Sequence, residues 1–359
     1  MLKPVKLGNR VLEVPIIQGG MGVGVSLDGL AGNVMKQGGL GVISAAHPGY
    51  RENDFFVNPL KANIKALHEC AKSARAISNG RGLLGVNIMF ACNNYDTYVK
   101  ECVKAGYDAI ISGAGMPLSL PEYAGDSDIL LAPIVSSGKA ANLILRAWDQ
   151  KYNRTPDFIV IESSLAGGHL GFKLKDLEEG TCQSLDEILS EVLECIKPYA
   201  DKYQRDIPVF VAGGIYDGRD IAHYINNGAS GVQMGTRFIA TEECDADIRF
   251  KEEIIKADEK DIVLVKSPTG FPGRAVLNDY MKRVKEEGNR KITNCIGCLK
   301  PCNPLDTPYC ISRALIEAVK GNIQEGLVFT GFNGYRIKEL TTVEKLMKEL
   351  QEEANEVLR

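Results

Sequence analysis

Val209-Phe-Val-Ala-Gly-Gly-Ile-Tyr-Asp-Gly218, followed after a helical pattern by Gly231-Val-Gln-Met-Gly-Thr-Arg-Phe238, decides the fold. Each half holds an apolar run that ends on glycine. A strand with one wet face alternates apolar and polar residues, whereas a parallel strand covered by helices on one side and core on the other is apolar throughout. Between the two runs, Asp217 to Asn227 carries apolar residues at helical spacing. The unit is therefore strand, glycine turn, helix, strand.

Toward the N-terminus the unit recurs. Strands are expected at Val14 to Gln18, Gly41 to Ser44, Leu83 to Met89, Ala109 to Ser112, Leu130 to Val135 and Phe158 to Glu162, before those at Val209 to Ala212 and Gly231 to Met234. Helices are expected at Leu27 to Gln37, Asn58 to Ala76, Tyr95 to Ala105, Lys139 to Lys151, Ser184 to Tyr203 and Asp217 to Asn227. Eight such units predict an α/β fold of the (β/α)8 TIM-barrel type; an open doubly wound sheet uses the same alternation and is the alternative. At 359 residues the chain exceeds the roughly 250 of a plain barrel, leaving room for an additional segment after the eighth strand. There, Thr241 to Asp261 reads as helical and charged, and Val263 to Asn278 is rich in glycine, proline and β-branched residues. Thr341 to Leu358 reads as an amphipathic helix behind a Thr-Thr cap. The expected organisation is a barrel over 1–242, an elaboration with a cysteine-rich loop over 243–335, and a C-terminal helix over 336–359.

With 45% hydrophobic and 25% charged residues, the composition is that of a globular protein rather than a disordered or fibrous one. A net charge of -4 and a pI of about 5.8 give no electrostatic footprint for nucleic acid or an anionic membrane, so the expected partner is a small-molecule substrate. No run approaches the roughly 20 apolar residues of a membrane span, and the opening residues lack an apolar core of signal-peptide length. A cytoplasmic protein is the expectation, and a homo-oligomer is compatible with the sequence.

Barrel sites form at the C-terminal strand ends, and phosphate is commonly held after strands seven and eight. Gly213, Gly214, Gly235 and Thr236 fall there. Glycine lets backbone amides approach a phosphate, and Thr236 adds a hydroxyl. Tight strand-helix packing would account for any one of these glycines, though less readily for both turns together. Strand six ends Ala166-Gly-Gly-His169, which sets an imidazole able to exchange protons near neutral pH at the same face. His47, after strand two, is a second histidine able to line the site, whereas His68 and His223 lie in helical patterns. Asn87 in strand three offers a donor and an acceptor to a ring edge. Lys139 after strand five either supports negative charge on a ligand or stands in solvent.

Pro15-Ile-Ile-Gln-Gly-Gly-Met-Gly22, Gly85-Val-Asn-Ile-Met89, Ala166-Gly-Gly-His169, Val211-Ala-Gly-Gly-Ile215 and Gln233-Met-Gly-Thr-Arg-Phe238, in this order, resemble the nitronate monooxygenase family. Its superfamily includes the FMN-dependent enoyl-acyl-carrier-protein reductase II and NADH:quinone reductases. The resemblance spans roughly residues 1 to 280 and implies an FMN-binding barrel. It further implies that Met21, Asn87, Gly167, Gly214, Gln233, Gly235 and Thr236 contact FMN, that Met234 contributes backbone, and that His169 is catalytic. Glu162 stands where relatives often carry glutamine, and Ser164-Leu-Ala-Gly-Gly-His169 replaces the family's Glu-Ala-Gly-Gly-His, so substrate pocket and redox partner are open to change. The implied activity is oxidation of alkyl nitronates to carbonyl compounds and nitrite. The alternative is an NAD(P)H-dependent FMN reductase of enoyl thioesters or quinones, and a flavin-free barrel binding a phosphorylated metabolite is a third reading.

Of ten cysteines, six are scattered singly and read as reduced thiols. The other four, Cys295, Cys298, Cys302 and Cys310, have spacing C-x2-C-x3-C-x7-C. Thiolates this close suit zinc or an iron-sulfur cluster, and reduced structural thiols in a proline-rich loop are the plain alternative.

Overall fold

A computed structural model of the chain describes residues 1–288 and 292–358. Its eight parallel barrel strands are Ile16–Gln18, Leu40–Ser44, Leu83–Met89, Ala109–Gly113, Leu130–Val135, Ile159–Glu162, Val209–Ala212 and Gly231–Met234, and they close in that order. All eight lie where the apolar runs placed them. Ladder pairs such as Val209↔Ile159 and Val232↔Ile16 tie the seventh strand to the sixth and the eighth to the first. The closed barrel rules out the open doubly wound sheet.

Inward-facing residues, among them Ile17, Val42, Ile111, Ala132, Val160 and Phe210, form one core. The N-terminal hairpin of Val5–Leu7 and Arg10–Leu12 contributes Leu7 and Leu12 to that core and so stoppers the far mouth of the barrel. The strand reading did not include this hairpin, because three-residue strands carry too little periodicity to detect. Outward-facing residues pack beneath the helices as a second core that includes Trp148 and Phe238. The helix starts follow their chemistry: Asn58, Ser137, Ser184 and Asp217 each accept a backbone N–H in the first turn, and Ser184 with Glu187 forms a reciprocal capping box.

Thr241 to Asp261 is helical only over Ile248–Lys256, with a short turn of 3₁₀ helix at Glu259–Asp261. Residues 241–247 are held out of helix by other partners. Glu242 N donates to Thr341 O, and the Asp245 carboxylate accepts from Leu27, Gly29 and Leu30, capping the helix Asp28–Lys36 from a distance. The glycine-proline segment forms the antiparallel strands Ile262–Lys266 and Pro272–Val276, and the latter pairs with Gly168–His169 at the end of barrel strand six. The C-terminal helix, Val343–Val357, starts at the Thr342 cap and packs on the helix Gly218–Asn226, where a Cβ on Gly218 would meet Ala354 N at 2.4 Å. No helix among the described residues is long and apolar enough to cross a membrane.

Candidate active site

A cleft of about 310 Å³ opens at the C-terminal strand ends, within the range of small-molecule sites. Met21, Asn87, Gly167, His169, Gly213, Gly214, Gln233, Met234, Gly235 and Thr236 all line it. Lys139 does not: it projects into solvent from the first turn of the helix Gly138–Tyr152. Of the two readings that the sequence left open for this lysine, its position is that of the solvent-exposed one.

After strand seven, Gly213 and Gly214 have φ of +85° and +82°, a conformation open to glycine but strained for other residues. A Cβ on Gly213 would also meet Ser163 Oγ at 2.6 Å and Ala166 N at 2.9 Å. Among the described residues, the N–H groups of Gly213, Gly214 and Gly235 donate to no protein acceptor. Donors left unspent at one end of a cleft form a ready cradle for an anion. Thr236 Oγ accepts from Gly331 N at 2.9 Å, which leaves its own hydrogen to donate. Gln233 Oε1 is buried and unpartnered, so a polar ligand edge is what would satisfy it. Asn87 is anchored weakly, Nδ2 to Ile111 O at 3.4 Å.

His169 is set by the elaboration. Ser267 Oγ lies 2.8 Å from His169 Nε2 and accepts from both Thr269 N and Thr269 Oγ1, so its hydroxyl hydrogen is directed to Nε2. With the Ser267 hydroxyl donating to Nε2, the imidazole proton sits on Nδ1, which has no protein partner among the described residues. Burial pulls His169 down to about 4, and the ring is neutral near pH 7. Phe329 packs edge-on at 5.2 Å. Arg274 holds the approach to the histidine by donating to Ser164 O at 2.7 Å and Ala166 O at 2.6 Å.

Across the cleft, His47 is also neutral, pulled to about 4 by burial, but both its nitrogens are engaged. Asn63 Nδ2 donates to Nδ1 at 3.4 Å, and Nε2 then donates to Ser312 Oγ at 2.8 Å. Glu162 lines the cleft at the end of strand six. Burial pushes its carboxyl up to about 8, with neither a hydrogen bond nor a nearby charge among the described residues to offset it, so it is protonated near neutral pH.

The cysteine-rich loop folds against the same cleft. Asn93 N donates to Cys298 O at 3.0 Å, and Lys300 N donates to Ala91 O at 2.9 Å. Ser267, Thr269, Phe329 and Ser312 were missed in the sequence, since nothing local to them marks a site. Only the fold brings them to the strand ends.

These features define a (β/α)8-barrel enzyme with unspent backbone N–H donors after strands seven and eight and a neutral histidine after strand six. The profile of the nitronate monooxygenase family matches residues 4–353, and the chain belongs to that family of flavin-dependent oxidoreductases. A probable nitronate monooxygenase of Staphylococcus aureus is 26% identical over 294 residues, 77% of this chain and 78% of that one. A (3aS,4S,5R,7aS)-5-hydroxy-7a-methyl-1-oxo-octahydro-1H-indene-4-carboxyl-CoA dehydrogenase of Rhodococcus jostii is 26% identical over 284 residues, 78% of this chain and 67% of that one. Among solved structures, FabK from Thermotoga maritima superposes with a TM-score of 0.73 at 26% identity, covering 96% of this chain and 93% of that one.

Proposed function

We propose that this chain holds FMN in the cleft and oxidises alkyl nitronates to carbonyl compounds and nitrite, with oxygen as co-substrate. The observation that carries the reading is the pairing of an unspent donor cradle at Gly213, Gly214 and Gly235 with an unspent Nδ1–H on His169. The residues suit FMN: the three amides and the Thr236 hydroxyl take its phosphate, Gln233 and Asn87 meet the polar ring edge, and Met21 with its glycine turn offers a surface to the ring. When bound, FMN takes up the substrate's electrons and passes them to oxygen.

His169 supplies a directed N–H rather than a general base in its resting tautomer, because Nε2 already accepts from Ser267. A neutral N–H donor stabilises an anionic nitronate without taking a proton from it. The substrate is therefore the preformed anion rather than the neutral nitroalkane.

A second reading has one observation in its favour. Glu162 is a carboxylic acid protonated near neutral pH inside the cleft, the proton source that a reduced enoyl thioester or quinone needs. Under it the electron donor is NAD(P)H. Anaerobic absorbance titration of FMN-loaded protein separates the two. Bleaching by an alkyl nitronate, with nitrite released on admitting air, is the expected result, whereas bleaching by NADH or NADPH alone would replace the first reading by the second.

A further inference from the structure

A second cavity, of about 310 Å³, adjoins the cleft where the turn after strand seven, the short helix Thr236–Ile239, the 336–341 segment and the C-terminal helix meet. Tyr216 and Arg237 line both spaces, so the two share a wall. In sequence they stand two positions after Gly214 and one after Thr236, next to the donors of the first site.

The lining is cationic. Arg237, Arg336, Lys338 and Lys345 stand against the carboxylates of Glu339 and Glu349, an excess of two positive charges. Arg237 is largely spent, with Nη1 donating to Tyr216 O at 2.9 Å and Nη2 to Glu349 Oε1 at 3.1 Å. The other three are held loosely. Arg336 has Asp217 Oδ2 at 3.5 Å, while Oδ1 of that carboxylate accepts from Arg219 N and Asp220 N at the helix start. Lys338 donates to Ala257 O at 3.1 Å and has the exposed Asp258 carboxylate only at 3.8 Å. Lys345 Nζ has no hydrogen bond or ion pair among the described residues. Exposed ion pairs at such distances contribute little, so these cations are available to a ligand.

Two details suit a phosphate. Both guanidiniums stack on the Tyr216 ring, with Cζ 4.4 Å from its centre for Arg237 and 3.7 Å for Arg336, and the Tyr216 hydroxyl donates to Arg336 O at 3.0 Å. A stacked guanidinium presents a fixed fork, which is what bidentate recognition of phosphate uses. Thr341 supplies the second detail. Its N–H donates to Ala240 O and its C=O accepts from Glu242 N, yet its Oγ1 is buried on this cavity without a partner. A polar ligand atom is what would satisfy it.

Size and charge then name the class. The volume is in the range of small-molecule sites, and Ala240 and Ile337 add apolar surface for an organic body. An excess of two charges matches the dianion that a phosphomonoester approaches near pH 7. We propose that this cavity binds a small organic phosphomonoester, held by Arg336, Lys345 and Thr341 beside the cleft. The inference goes beyond the function proposed above and uses none of the groups assigned to the oxidation.

Isothermal titration calorimetry on the full chain saturated with FMN tests it, with ribose 5-phosphate, inorganic phosphate and ribose as the probes. Ribose 5-phosphate should bind with a Kd below about 1 mM, inorganic phosphate about tenfold more weakly, and ribose not at all. Arg336→Gln and Lys345→Gln should each weaken ribose 5-phosphate about tenfold or more, whereas Lys348→Gln, on the same helix as Lys345 and outside the lining, should not. Lys345 is exposed, so its substitution leaves the fold intact. No saturable binding of ribose 5-phosphate, or the same affinity in Lys345→Gln as in the unaltered chain, overturns the proposal. Inorganic phosphate binding as tightly as ribose 5-phosphate also overturns it, because the cavity would then hold a bare ion. Release of FMN by ribose 5-phosphate overturns it too, by placing the flavin phosphate in this cavity. A chain that takes up no flavin would contradict the proposed function, and loss of ribose 5-phosphate binding in the two variants would still support this site.

Discussion

The two histidines that face each other across the cleft began as similar residues and ended with opposite duties. Each follows a barrel strand, each is neutral through burial, and each has Nε2 2.8 Å from a serine supplied by the elaboration. The serines' other partners make the difference. Ser267 is saturated by Thr269 and donates to His169, which leaves the proton on Nδ1 of a ring that lines the cleft. Asn63 donates to His47, which pushes the proton to Nε2, through Ser312 and toward Cys298. One histidine is open to ligand and the other is spent on a buried bridge between Asn63 and Ser312. Residue type and depth alone do not assign a role; the second layer of hydrogen bonds does.

The contrast can be broken most directly by removing each ring. His169→Ala should retain FMN but lower turnover about 100-fold or more, the range for removing one preorganised donor aimed at a reacting anion. His47→Ala should cost turnover less than about tenfold and show itself chiefly as a lower Tm, because it removes a buried bridge between Asn63 and Ser312. Equal losses of turnover would erase the distinction. A smaller effect is expected where the cradle is filled. Gly213→Val combines a φ of +85° with a Cβ that meets Ser163 and Ala166, and FMN affinity measured by flavin fluorescence should fall about tenfold, or 1.4 kcal/mol. FMN affinity unchanged in that variant would place the phosphate elsewhere.

Ser267→Ala sharpens the comparison further. It frees Nε2 of His169, and the tautomer is no longer fixed, so kcat should fall several-fold with a shifted pH profile, and by more than Ser312→Ala produces. The smallest effect concerns stability against pH. His169 has its folded value lowered from 6.5 to about 4, so its contribution is present above pH 6.5 and is lost as pH falls through 4. Glu162 has its folded value raised from 4.5 to about 8, so its contribution is present below pH 4.5 and is lost as pH rises through 8. Glu162→Gln should flatten the alkaline fall in Tm, and His169→Ala should flatten the acid one. An unchanged alkaline limb in Glu162→Gln would show that the carboxyl is not the buried acid described here.

The barrel and its cradle were legible because both are local. An apolar run ending in Gly213-Gly214 encodes a buried parallel strand and the backbone turn after it within a few residues, and the same holds for Met234-Gly235-Thr236. His169 was legible for the same reason, as a histidine directly after a strand. The roof was not. Ser267, Thr269, Phe329 and Ser312 reach the site through a hairpin, a loop and a helix whose positions are fixed by tertiary packing, and serine or threonine in a loop carries no distinguishing pattern. Thr241–Asp247 misled because its charged, helix-compatible sequence is recruited by Thr341 and by the helix at Asp28. Lys139, which the sequence left open between two readings, lies exposed in the first turn of the helix Gly138–Tyr152 and outside the lining of the cleft.

The central claim is that His169 serves a preformed anion through Nδ1–H in a flavin cleft, and the most direct test is anaerobic stopped-flow reduction of the FMN-loaded protein near pH 7. Mixing with an alkyl nitronate should bleach the flavin rapidly, while the same concentration of its neutral nitroalkane should do so only as fast as it ionises in buffer. Equal rates for the two forms would show that the protein removes the proton itself and would contradict the assigned tautomer, and bleaching by neither would remove nitronates as the substrate.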